Sequence, residues 1–184
     1  MPTKSSSNYA ILGLLAIRPM TAYEIVKFSK ETIGFFWNES YGNIYSILKK
    51  LLATGHIHLL EEINQGRRRK TYAITDRGIK NLKEWLNKPA GEIILRDELL
   101  LKIFISEKED IPYLYQSIQQ EENDMKQALD ALDQVQQGID AVDHDPVRKK
   151  LWLLTLEYGK QFANARYEWC QKANDLLKQI VKEM

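Results

Sequence analysis

Cysteine is almost absent from this sequence, since Cys170 is the only one among 184 residues. A disulfide within the chain and a cysteine-rich zinc cluster are therefore both excluded. A lone thiol fits a reducing compartment. We expect Cys170 to be a small residue packed on a helix rather than a reactive nucleophile.

Long apolar runs are also missing. No stretch approaches the roughly 20 apolar residues that a membrane span requires, and the opening MPTKSSS has no apolar core of a signal peptide. The apolar content of 44% is nevertheless sufficient for a globular core. We therefore expect a cytoplasmic protein without a membrane partner.

The residue sets of enzymes and metal sites are scarce as well. The sequence has no glycine-rich phosphate loop, no nucleophile elbow and no spacing that suggests a catalytic triad. His56 and His58 could share one face of a strand, but a metal needs three or four ligands and the sequence supplies no evident partner. His144 is interpreted as a loop cap. We expect no enzyme activity, no cofactor and no metal.

Charge is distributed unevenly along the chain. Residues 1–90 contain 14 Lys and Arg against 7 Asp and Glu, a net +7, whereas residues 91–184 contain 12 against 18, a net −6. The composition changes at Pro89-Ala90-Gly91, which predicts one domain over 1–90 and another over 91–184. A basic half attracts polyanions and an acidic half avoids them, although chance could produce the same division.

The basic half predicts three helices, a hairpin and a closing helix. Thr21 and Glu24 have capping-box spacing, Ser40 can cap the third helix, and Gly55 follows its end. The predicted bounds are 9–17, 22–31 and 41–54 for the helices and 57–63 and 70–75 for the strands. A fourth helix follows Thr75 or Asp76, with Ile79, Leu82, Trp85 and Leu86 as its buried stripe.

The third helix carries one apolar face and one polar face. The periodicity predicts an inner face of Ile44, Tyr45, Leu48, Leu51 and Leu52. It leaves Asn43, Ser46, Ile47, Lys49 and Lys50 outside.

This order of elements is typical of a winged helix-turn-helix, whose third helix enters the major groove. Small polar side chains near the start of that helix can reach base edges, while cations meet phosphates. We expect Arg67, Arg68, Arg69 and Lys70, at the tip of the hairpin, to bind phosphates. In isolation, such a basic turn is only a solvated surface, and a winged helix can also serve as a non-catalytic protein-interaction module.

The sequence resembles the PadR family of bacterial regulators over nearly its whole length. The residues that carry the resemblance are YAILGLL from Tyr9, YEI from Tyr23, YGNIYSILKKL from Tyr41, RKTYAITDRG from Arg69 and RDELLLK from Arg96. One departure is Gly42, where many members have proline, and it leaves the start of the helix looser.

The resemblance implies a dimeric DNA-binding protein, usually a repressor, that a small aromatic or otherwise hydrophobic effector often releases. Its length is like that of the long-armed branch, which includes phenolic-acid-responsive repressors and a virulence-gene activator. Together with the pattern, the resemblance gives the candidate DNA-binding residues: Tyr41, Asn43, Tyr45, Ser46, Lys49, Lys50, Arg67, Arg68, Arg69 and Lys70.

The acidic half predicts helices at 92–105, from Ile111 to Ile139, and from Val147 towards the end. The first is apolar on more than one side, so we expect it to be sandwiched. Long helices with apolar stripes normally find a partner, and a two-fold homodimer is the commonest solution. A helical hairpin without a partner is the alternative. The expected interface residues are Leu151, Tyr158, Phe162, Trp169 and Leu176.

The last helix could also hold an effector. Arg148, Trp152, Tyr158 and Phe162 could place an aromatic acid between rings and a cation, although core packing explains the same aromatics. Overall we predict a mainly α protein with a small β-hairpin wing (α+β). It comprises an N-terminal winged helix-turn-helix and a C-terminal long-helix dimerisation arm, with double-stranded DNA and a second copy as partners.

Overall fold

The structure, a computed structural model, describes residues 6–64, 67–141 and 143–183, and the side chains of residues 61–69 lie outside this description. The chain divides into two compact units between Ile94 and Leu95. The first unit contains α1 (Ser6–Leu15), β1 (Met20–Thr21), α2 (Ala22–Thr32), α3 (Tyr41–Ala53), β2 (Ile57–Asn64), β3 (Arg67–Ile74) and α4 (Asp76–Leu86). The second contains α5 (Glu98–Ile105), a short 3-10 turn (Lys108–Asp110), α6 (Ile111–Ala141) and α7 (Pro146–Glu183).

Local capping fixes the starts of α2 and α3. The backbone N–H of Glu24 donates to Thr21 Oγ1 at 3.2 Å, and the N–H of Thr21 donates to Glu24 Oε2 at 2.8 Å. This is the predicted capping box, which satisfies two otherwise unpaired donors. The predicted cap of α3 is also present, because the N–H of Asn43 donates to Ser40 Oγ at 3.3 Å.

One apolar core joins the elements of the first unit. Its fully buried side chains come from α1, β1, α2, α3 and β2, namely Ile11, Leu12, Met20, Ile25, Ile44, Leu48 and Ile57. The ring of Tyr9 stacks on that of Trp85 with centroids 4.8 Å apart, which joins α1 to α4. The core thus holds α3 by one face only.

The predicted inner face of α3 is wrong at two positions. Tyr45 is 43% exposed, whereas Ile47, predicted outside, is 6% exposed. At 3.6 residues per turn, Ile44, Ile47, Leu48 and Leu51 fall within about 100° of the helix circumference, and Tyr45 lies about 100° from Ile44. The buried arc is narrow, so the tyrosine is left on the solvent side.

The sheet contains a strand that the sequence pattern did not predict. The two-residue β1 pairs with β3, so the order is β1-β3-β2 and β3 lies in the centre. The strands of the wing also continue further than predicted, because Asn64 pairs with Arg67 and Glu62 with Arg69. Arg67, Arg68 and Arg69 therefore belong to β3 rather than to the connecting turn.

Two glycines permit backbone arrangements that a larger residue would strain. Gly55 has φ of 68° after the end of α3, as predicted. A Cβ on Gly78 would lie 2.2 Å from the carbonyl oxygen of His56, so only glycine lets α4 approach the start of β2 this closely. Thr75 caps α4, but Ile79 and Leu86 are exposed, so the predicted buried stripe is wrong at these two residues.

In the second unit, α6 packs along α7. Leu132, Leu156 and Ala163 form its buried centre, and Met125, Leu129, Val135, Ile139 and Leu153 pack around them. Cys170 is fully buried in α7, and burial raises the pKa of its thiol. This agrees with the expectation of a packed residue rather than a reactive one.

The prediction for the first helix of the acidic half is wrong. The helix predicted from Glu92 begins only at Glu98, and no residue of α5 is buried within the chain, so it is not sandwiched there. In α7 the large apolar residues Leu151, Leu154, Tyr158, Phe162 and Leu176 are exposed. The face buried against α6 is instead Leu156, Gly159, Ala163, Cys170 and Asn174. The fold class itself, α+β with mainly helix, is confirmed.

Candidate nucleic-acid interface

The solvent side of α3 is a continuous polar surface. All six candidate residues on this helix are exposed, namely Tyr41, Asn43, Tyr45, Ser46, Lys49 and Lys50. They alternate with the buried Ile44, Ile47 and Leu48, because one face of a helix returns every three or four residues. The core therefore fixes the helix while its polar side chains remain accessible to a ligand.

The paired tyrosines contact each other on this surface. Their hydroxyl oxygens are hydrogen-bonded at 3.0 Å, and their ring centroids are 4.9 Å apart. The hydrogen bond to Tyr41, with a smaller effect of burial, raises the pKa of Tyr45 above its usual value. A phenol hydroxyl can both donate and accept a hydrogen bond, so the pair is suited to phosphate oxygens or base edges.

A cleft of about 540 Å³ lies between α3 and the wing. It is lined by Tyr45, Ser46, Lys49, Leu52, Leu59, Lys70 and Tyr72. Lys49 and Lys70 bring one cation from the helix and one from β3, while the two tyrosines supply hydroxyls. The cleft combines the groups that bind a phosphodiester chain.

Asn43 is held by its neighbours at the start of α3. Its Nδ2 donates to Glu39 Oε2, and Glu39 Oε1 accepts from the hydroxyl of Ser7 on α1. Glu39 was not among the residues predicted from the sequence. The i, i+4 spacing from Glu39 to Asn43 was the available indication.

The wing residues are described unequally. Lys70 is exposed and lines the cleft. The backbones of Arg67, Arg68 and Arg69 are paired in β3, but the predicted role of their side chains lies outside the described residues. Tyr72 was not predicted, although its place two residues after Lys70 on one face of β3 could have indicated it.

The candidate effector residues lie in two separate parts of α7. Trp152 is half-buried and packs edge-on against His144 with centroids 5.0 Å apart. Arg148, one turn before it, is half-buried too. Tyr158 and Phe162 are 60% and 57% exposed. A cleft of about 390 Å³ in the second unit is lined by other residues, between Leu99 on α5 and Glu121 on α6.

Arg166 forms an ion cluster that the sequence did not predict. Its guanidinium lies 2.6 Å from Asp97 Oδ2, 2.9 Å from Glu121 Oε1 and 4.9 Å from the ring centroid of Trp169. Burial alone would raise the pKa of Asp97, but the N–H of Leu100 and Arg166 together lower it. The cluster joins the start of α5 to α6 and α7. The residues are too far apart in sequence for any local spacing to indicate them.

The histidines form no metal site in the described part of the chain, where no group of three or more His, Cys, Asp or Glu could hold an ion. His56 Nδ1 lies 2.7 Å from Thr54 Oγ1, and burial, followed by the charge of Arg77, lowers its pKa. His144 accepts from the N–H of Asp145, which caps α7. Among the described residues, no helix has the length and apolar character needed to cross a bilayer.

A helix held by one face beside a β wing, with a polar outer surface, is the arrangement of winged helix-turn-helix transcriptional regulators. Residues 11–84 match the transcriptional regulator PadR-like family, and residues 95–178 match the virulence activator alpha C-terminal family. Residues 11–84 thus form a PadR-like family domain. These matches are to regulators, in agreement with the prediction that the protein is not an enzyme.

Individual relatives support the same assignment. Over 101 residues the chain is 39% identical to the negative transcriptional regulator PadR of Bacillus subtilis, covering 53% of this chain and 54% of the relative. The chain spans about half the length of the curated relatives that it matches.

Solved structures share the fold. Bacillus subtilis PadR in complex with operator DNA is similar with a TM-score of 0.76 at 24% identity, over 94% of this chain and 99% of that one. The same protein in complex with p-coumaric acid has a TM-score of 0.69 at 24% identity, over 93% of this chain and 98% of that one. The PadR-like regulator BC1756 from Bacillus cereus has a TM-score of 0.78 at 20% identity, over 94% of this chain and 98% of that one.

Proposed function

We propose that the protein is a cytoplasmic transcriptional repressor that binds a two-fold symmetric DNA site as a homodimer. The observation that carries the proposal is the exposed polar side of α3 beside a cleft with Lys49 on one wall and Lys70 on the other. The helix would enter the major groove and the cleft would take the adjacent phosphates. The likeness to a negative regulator whose structure with operator DNA is known supports the same function.

The two lysines give a direct test. Each cation that neutralises a phosphate contributes about 0.9 to the slope of log affinity against log salt. A Lys49→Ala, Lys70→Ala double variant should therefore bind every duplex more weakly and lower the slope by about 1.8. A further variant with alanine at Arg67, Arg68 and Arg69 should lower it again.

Lys172→Ala is the matched control, since Lys172 is an exposed lysine in the other unit. Fluorescence anisotropy with one duplex at several salt concentrations measures the slope. An unchanged slope in the double variant would refute the phosphate role of the cleft. A wild-type protein that binds no duplex would favour the protein-interaction alternative.

The homodimer is supported by the unpartnered apolar side of α7. Leu151, Leu154, Tyr158, Phe162 and Leu176 are large and exposed along one helix. Scattered apolar residues on a surface are ordinary, but a continuous stripe marks an interaction site. A symmetric pair of arms would place two copies of α3 in successive major grooves, about 34 Å or a multiple apart.

The effector part of the proposal is a small aromatic acid. Arg148 and Trp152 lie one helical turn apart and can offer a cation and a ring to such a ligand. A relative is known in complex with p-coumaric acid, which is an acid of this class. We expect p-coumaric acid, from a panel of phenolic and hydrophobic compounds, to release the DNA, and Arg148→Ala to weaken this response. A panel without effect on DNA binding would remove the effector from the proposal.

A further inference from the structure

We propose that Glu39 is a positioning residue for Asn43 and makes this part of α3 selective for adenine. The inference rests on the proposed binding of DNA by α3. The carboxylate of Glu39 is not needed for phosphate contacts, and the inference gives it a role. It also names adenine as the base that Asn43 contacts.

The geometry holds Asn43 at two places. Its backbone N–H donates to Ser40 Oγ at 3.3 Å, which fixes the first turn of α3. Its side-chain Nδ2 donates to Glu39 Oε2. The other carboxylate oxygen accepts from Ser7, which is only 5% exposed and belongs to the packed helix α1. Glu39 is therefore anchored to the core of the unit, and its hydrogen bond fixes the orientation of the exposed side-chain amide of Asn43.

The chemistry of the carboxylate decides which way the amide faces. An ionised carboxylate only accepts hydrogen bonds, so Nδ2 rather than Oδ1 must face Glu39. The oxygen Oδ1 and the second hydrogen of Nδ2 then remain for a ligand. Among the described residues, Oδ1 of Asn43 has no hydrogen-bond partner. Asn43 thus presents one acceptor and one donor, side by side, to the major groove.

Adenine is the base that matches this pair. It offers the N6 amino group as a donor and N7 as an acceptor, and asparagine can bind both at once. Guanine offers two acceptors in the groove, so one of them would face the acceptor Oδ1, and thymine offers one acceptor, which can form only the bond to Nδ2. Cytosine offers only a donor and can form one of the two bonds. We therefore expect one adenine in each half-site opposite Asn43.

The charge of Glu39 has a second, separable effect. A carboxylate near the phosphate backbone weakens binding to every duplex, whatever its sequence. Glu39→Gln keeps the size of the side chain but removes the charge and the strict acceptor. This variant should bind random DNA at least as tightly as wild type and yet discriminate less at the position of Asn43. A residue that served only the fold would not separate these two effects.

The experiment selects binding sites from a random duplex pool with four full-length proteins: wild type, Glu39→Gln, Asn43→Ala and the double variant. Glu84→Gln is the control, because it makes the same charge change on an exposed glutamate of the same unit. We expect adenine at one position per half-site for wild type and the control. Asn43→Ala should lose about 5- to 150-fold of discrimination there, as one bidentate contact predicts.

Glu39→Gln should lose part of that discrimination at the same position, and the double variant should lose no more than Asn43→Ala, since the two residues act as one unit. A guanine or thymine at the position, or wild-type preference in Glu39→Gln, would overturn the inference while leaving DNA binding intact. A wild-type protein that selects no sequence and binds no duplex would instead refute the proposed function and the inference together.

Discussion

The exposed apolar stripe of α7 allows us to predict how much Phe162→Ala weakens the proposed dimer. Phe162 is 57% exposed, and an aromatic side chain buries about 200 Å² when it is covered, so about 110 Å² remain for a partner. At about 25 cal/mol per Å², that area corresponds to about 3 kcal/mol per protomer. In a two-fold dimer both protomers lose this contribution, so the variant should weaken the dimer by up to about 6 kcal/mol. This corresponds to an increase of about 10⁴-fold in the dissociation constant of the dimer.

Phe162 is a cleaner probe of the interface than Trp169. Trp169 is half-buried and lies under the guanidinium of Arg166, so its removal also disturbs the protomer. Truncating Phe162 disturbs the protomer less, because its side chain is 57% exposed there. Phe36→Ala is the matched control, since Phe36 is 49% exposed in the other unit.

Sedimentation velocity over a range of concentrations measures the dimer, and far-UV circular dichroism checks that the helices persist. The Phe162→Ala protein should also lose its preference for a full palindrome over a single half-site, because the second contact no longer benefits from effective concentration. A folded Phe162→Ala protein that dissociates at the same concentration as wild type and Phe36→Ala would show that this residue does not lie in the interface.

Two further predictions concern stability. Arg166→Met should lower the free energy of unfolding by about 2–3 kcal/mol at fixed protein concentration, since it leaves Asp97 and Glu121, 19% and 27% exposed, without their cation. Lys102→Met, which breaks an exposed pair with Glu98, is the control and should cost less than about 1 kcal/mol. Equal losses would contradict the role of the cluster. Because the pKa of Asp97 is lowered, its ion pair stabilises the protein above the ordinary carboxylate pKa, and this stabilisation is lost as pH falls through the lowered pKa. The loss of stability in Arg166→Met should therefore become smaller in acid. Gly42→Ala should raise stability by roughly 0.5–1 kcal/mol in thermal unfolding, because a Cβ there meets nothing within 4 Å. Gly78→Ala is its opposite control, and a loss of stability in Gly42→Ala would show that the glycine is needed.

Local chemistry made the first unit predictable. The caps at Thr21 and Ser40 and the glycine after α3 depend on neighbours three or four residues away, which a sequence displays directly. The strand Met20–Thr21 was not predictable, because two residues have no periodicity and it exists only through pairing with β3. Glu39 was missed for a similar reason, since its contact with Ser7 joins distant parts of the chain.

In α7 the pattern identified a real stripe but not the face that packs within the chain. The residues against α6 include Gly159, Ala163, Cys170 and Asn174, which are small or polar and contribute little to an apolar period. Small residues allow two helices to approach closely, so these positions pack beside Leu156 without adding to the apolar period. The large apolar residues that dominate the period were left on the other side, where they are exposed.

This division of α7 bears on how an effector could act. The sequence predicted Tyr158 and Phe162 both as effector-binding residues and as dimer-interface residues. Both rings are exposed on the apolar stripe of α7. A ligand held there would compete with the second copy, so it would release DNA by separating the arms. A ligand held by Arg148 and Trp152 could bind without covering the stripe. Release would then leave the dimer intact and act on the spacing of the two α3 helices. The oligomeric state in the presence of an effector therefore indicates which end of the helix binds it.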